Sequence, residues 1–60
     1  MYTTPEAATL AAQEKLAKGG RPPHEVFVVF PAYEGGFKVG TWPSTRVEDL
    51  PEGAWIVRLP

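Results

Sequence analysis

The sequence predicts an α+β domain: one N-terminal helix packed on a three-stranded antiparallel sheet, in the order α-β-β-β. Three observations predict it. Residues 6–18, EAATLAAQEKLAK, are almost all strong helix formers. Two runs rich in β-branched and aromatic residues, 24–30 and 37–42, flank the pair Gly35-Gly36. A third such run, 54–59, follows the turn residues Pro51-Glu52-Gly53. A helix segregated from consecutive strands is the α+β pattern.

The helix is expected over residues 5–18. Thr4 can accept a hydrogen bond from a free N–H of the first turn, and Pro5 suits the first helical position, which needs no donor. Glu6 complements the positive end of the helix dipole. Gly19-Gly20 offers a left-handed stop, and GGRPP, residues 19–23, ends the helix for good. The buried stripe is narrow: Ala8, Ala12 and Leu16, with Thr9 at its margin. Small residues allow close approach but bury little area each.

The strands follow from composition and the turns from glycine and proline. Gly35-Gly36 between two apolar runs predicts a two-residue hairpin loop, because both central residues need positive φ. Thr45 and Glu48 match a capping box, so one helical turn is expected over Arg46 to Leu50, stopped by Pro51. Residues 50–55, LPEGAW, resemble the opening of a WW domain over six residues, but an Ala stands before the Trp and the likeness extends no further.

Register then decides which side chains share a face. With a two-residue loop, Glu34 faces Phe37, Ala32 faces Val39 and Phe30 faces Thr41. The first face holds Val26, Val28, Phe30, Phe37 and Val39, joined by Trp55, Val57 and Leu59, and is the expected core beneath the helix. The second holds Phe27, Val29, Pro31, Tyr33, Lys38, Gly40 and Trp42, joined by Ile56 and Arg58. A three-residue loop, Glu34 to Gly36, would shift the register by one and regroup the two strands. One helix covers one face. The second is therefore expected to meet solvent, the 43–53 loop or a partner.

The rest of the composition narrows the function. The chain has 60 residues, no cysteine, one histidine and a net charge of −1. It is one domain, spanning residues 1–60, and a size at which partner binding or self-association supplements a small core. Disulfides and thiolate metal sites are excluded, and no cofactor is indicated. A slightly acidic chain lacks the basic excess that duplex DNA or an anionic membrane selects. The start, MYTTPEAATL, has no signal-peptide pattern, so a cytoplasmic protein is expected. The initial Met suggests a complete small gene product, and the absence of Asn with abundant Ala, Gly and Pro suggests a bacterial or phage source.

Chemistry finds little to work with. His24, Ser44 and Asp49 are each the only residue of their type, but Ser44 lies in Trp-Pro-Ser-Thr, not in a G-x-S-x-G elbow. No phosphate-binding glycine motif is present. The expectation is a non-enzymatic interaction module, a homodimer or a binder of another protein, acting by surface occlusion. Its expected contact residues are Phe27, Val29, Tyr33, Lys38, Trp42 and Arg58. The alternative is a single-stranded nucleic-acid platform on the same aromatic face.

Overall fold

The computed structural model describes residues 1–19 and 23–59. It shows the α+β arrangement, one helix followed by a three-stranded antiparallel sheet. Helix α1 spans Pro5–Ala17. The Thr4 hydroxyl accepts from the Ala7 N–H at 3.1 Å, and Gly19 adopts φ +73° just past the helix end. The remainder of the expected GGRPP connector, Gly20 to Pro22, lies outside the described residues.

Strand β1 (Glu25–Pro31) is central, between β2 (Phe37–Pro43) and β3 (Trp55–Ile56). The register pairs Val29 with Val39 and Pro31 with Phe37. The hairpin loop is thus Ala32 to Gly36, not the two-residue Gly35-Gly36 loop. Ala32 explains the difference. Its N–H donates to the Gly36 carbonyl at 2.9 Å, and its carbonyl accepts the Gly35 N–H at 3.1 Å. The strand therefore ends at Pro31, and the two glycines close a longer loop. Both do adopt positive φ, +101° at Gly35 and +78° at Gly36.

That change inverts β1 relative to its neighbours. Phe27 and Val29, expected on the second face, join Ala8, Ala12 and Val57 in the core. Tyr2, Leu16, Phe37, Val39 and Trp55 pack around them, with the Phe37 and Trp55 rings tilted at 6.1 Å. Ala8 and Ala12 are fully buried, as the narrow stripe requires. Val26, Val28 and Phe30, expected beneath the helix, lie on the other face.

Two further expectations are corrected. The third strand is only two residues long. Beyond it the Val57 N–H still donates to the Phe27 carbonyl at 2.9 Å, but the Arg58 carbonyl accepts from the Gln13 side chain at 3.1 Å. The helix, not the sheet, holds this end of the chain. Residues Ser44–Asp49 form a 3-10 turn kinked at Arg46, and no side chain caps its start. The Thr45–Glu48 capping box does not form, because Pro43 occupies the capping position.

The N-terminus adds a contact that no pattern indicated. Tyr2 and Phe37 exchange backbone hydrogen bonds of 2.9 and 2.7 Å. Tyr2 thereby covers one end of the outer edge of β2.

Candidate interaction face

The face opposite the helix is built from three strands. β1 supplies Val26, Val28 and Phe30; β2 supplies Lys38, Gly40 and Trp42; β3 supplies Ile56. Side chains paired across strands share a face, so the register fixes this grouping. Gly40 has no side chain, and the Phe30 ring fills the space above it, 3.0 Å from where a Cβ would stand. The Phe30 and Trp42 rings lie 6.2 Å apart and tilted by 56°, within the range of favourable aromatic pairing.

The following turn holds the edge of this face. The Trp42 indole N–H donates to the Arg46 carbonyl at 2.6 Å. The indole is thereby pinned, its polar atom satisfied and its ring half-buried. Arg46 in turn lies 3.5 Å from the Asp49 carboxylate in an exposed pair. Val28 is fully buried on this side, apart from the cluster beneath the helix. Val26, Phe30, Trp42 and Ile56 remain half-buried. The chain's own cover is therefore partial: it seals the centre and leaves the aromatic rim open.

The six expected contact residues separate. Lys38 and Trp42 stand on this face. Lys38 is exposed, and its ammonium lies 3.9 Å from Glu34, a pair of little energetic weight. Tyr33 is fully exposed in the hairpin loop at the end of the sheet. Arg58 is exposed beyond β3. It lines a groove of about 610 Å³ with Leu16, Val26 and Leu59. Val26 pairs with Trp42 on its other side, so Arg58 and Trp42 do not adjoin. Phe27 and Val29 are core residues and are not available at the surface.

Phe30 and Val26 are the face residues missed from the sequence. The three-residue alternative, Glu34 to Gly36, has the same parity as the observed loop and likewise moves both onto the face of Trp42.

The polar residues near the other end of the hairpin are used structurally. The Ser44 hydroxyl donates to the His24 backbone carbonyl at 3.0 Å, and the Ser44 N–H reaches the same oxygen at 2.9 Å. His24 is exposed and holds a left-handed φ of +64°. Asp49 faces Arg46, not His24. Among the described residues, no cluster of His, Cys, Asp and Glu has the geometry to hold a metal ion. No helix among them is long and apolar enough to cross a membrane.

No family model, no curated protein and no solved structure matches this chain.

Proposed function

We propose that this chain is a small, non-enzymatic protein-interaction module of the cytosol, a regulator or inhibitor that acts by occluding a partner surface. One observation carries the reading: the helix covers a single face, and the opposite face keeps an aromatic rim that the chain only half buries. Phe30, Trp42 and Val26 form that rim, with Lys38 and Tyr33 at its border. Pinned aromatic side chains suit recognition because little rotamer freedom remains to be lost on contact. Arg58 and the half-exposed Ile56 extend the surface beyond β3.

Site-specific photo-crosslinking tests this. A photoreactive amino acid at Tyr33 or Lys38 is expected to capture one defined protein in the source cell. The same group at Glu14, exposed on the helix, is expected not to. Capture is expected to be lost when Phe30→Asp is combined with the Lys38 probe, in protein shown by circular dichroism to be folded. Equal capture from the helix, or none from the sheet, overturns the reading.

The nucleic-acid alternative draws less support from the geometry. Of its three stacking aromatics, Phe27 is buried, and Lys38 already has an acidic neighbour. In a Trp55→Phe background, Trp42 emission is expected to stay unchanged on adding single-stranded oligonucleotides at low salt. Salt-sensitive quenching would favour the nucleic-acid reading instead.

A further inference from the structure

We propose that the outer edge of β2 pairs with the same edge of a second copy of this chain, antiparallel about a two-fold axis at Thr41. The proposal rests on the interaction-module reading and names its partner.

The edge is defined by Tyr2. Because Tyr2 exchanges both backbone hydrogen bonds with Phe37, the N–H and C=O of Phe37 point away from β1. Antiparallel ladders alternate, so the backbone groups of Val39 and Thr41 point the same way, as does the carbonyl of Pro43. Thr41 is exposed. The opposite edge of the sheet, β3, is two residues long and offers no comparable ladder. An uncovered edge is a template for another strand.

Tyr2 at Phe37 restricts the register, and the number of backbone bonds favours the one centred on Thr41 over one centred on Trp42, which forms only the two Thr41-to-Pro43 bonds. Pairing centred on Gly40 would set Pro43 of one copy against Phe37 of the other, where Tyr2 already sits. Pairing centred on Val39 meets the same obstacle. Pairing centred on Thr41 avoids it. Thr41 then exchanges N–H···O=C bonds with its counterpart, and the Val39 N–H of each copy reaches the Pro43 carbonyl of the other. Pro43 has no N–H to donate, so the Val39 carbonyl of each copy is left to solvent at the end of a four-bond ladder.

The side chains agree with that register. Trp42 falls opposite Gly40 of the second copy, the one face position on β2 without a side chain. The Phe30 ring already lies over Gly40, so each indole meets the aromatic pair of the other molecule across the seam. The contact is isologous and closes on itself, as a two-fold interface must. It forms one continuous sheet with both helices on one side and both aromatic rims on the other.

Sedimentation of the full chain from micromolar to millimolar concentration tests the proposal. The wild type is expected to convert from monomer to dimer. Thr41→Lys sets like charges directly opposite each other at an exposed position, and is expected to stay folded by circular dichroism and monomeric throughout. Thr41→Glu is expected to do the same. An equimolar mixture of the two is expected to recover the dimer. A wild type that is monomeric at every concentration overturns the proposal, as does a dimer that Thr41→Lys leaves intact. If Trp42→Ala abolishes a dimer that Thr41→Lys preserves, the edge register fails while the aromatic face remains the site of contact.

Discussion

Phe27→Ala is expected to destabilise the domain by about 3–5 kcal/mol, the usual cost of emptying a buried phenylalanine site. A chain of this length has only about 3–9 kcal/mol of total stability at roughly 0.05–0.15 kcal/mol per residue. The variant should therefore be largely unfolded, or close to it, at room temperature. Phe27 is 6% exposed and belongs to the core cluster with Ala8 and Ala12 of α1, whose small side chains cannot extend into the space it would leave. Phe30→Ala should cost less, because its ring is only half-buried. Urea unfolding of the two variants side by side is the measurement. The two-residue hairpin loop assigns these phenylalanines to the opposite faces, so the order of the two effects reports the register directly. Equal losses, or a larger loss at Phe30, would contradict the observed pairing.

The second large effect is expected at Gly36. Its φ is +78°, and a Cβ there would stand 2.8 Å from the Tyr2 carbonyl oxygen. A left-handed conformation costs a non-glycine residue about 1–3 kcal/mol. The clash is with backbone, so relief requires Tyr2 to move and give up its exchange with Phe37. Each backbone hydrogen bond lost adds about 1 kcal/mol. Gly36→Ala is therefore expected to lose about 3–5 kcal/mol when the strain and the two broken bonds are combined. Gly35→Ala is the control: it shares a positive φ but has open space where the Cβ would go. Its loss should be smaller, and the difference between the two variants measures the hold of the N-terminal residues on β2. Chemical denaturation of both proteins provides that difference. If Gly35→Ala is the more damaging, the Tyr2 contact contributes nothing.

The fold class was legible because each level of the sequence agreed. Thr4-Pro5 opened the helix where its capping chemistry indicates, the alanine stripe buried itself, and three β-branched and aromatic runs became three strands. The face assignment was not legible, and the reason is parity. Gly35-Gly36 has the composition of a two-residue turn, and both glycines do hold left-handed φ. Yet the backbone of Ala32 takes hydrogen bonds at both its groups, and the loop lengthens by an odd number of residues. That difference turns over every side chain of β1. Strand β1 tolerates either assignment locally, because Val26 to Phe30 is apolar at every position and carries no alternation to fix its register. The composition of the face opposite the helix was therefore half legible. Lys38 and Trp42 of β2 do lie there, whereas Phe27 and Val29 lie in the core and Phe30 and Val26 take their places. The contact of Tyr2 with Phe37 had no sequence signal, since one residue pairing with a strand leaves no periodicity to detect.

Val28 and Val29 are adjacent, each is fully buried, and they point to opposite sides of the sheet. With Phe27 before them, they form a three-residue stretch of the central strand that is buried above and below. The amide protons of the two valines part company: that of Val28 is turned toward the seven-residue strand β2, and that of Val29 toward the two-residue strand β3. Val28 is therefore expected to exchange only when the β1–β2 ladder opens, whereas Val29 is released with β3 through a smaller local opening.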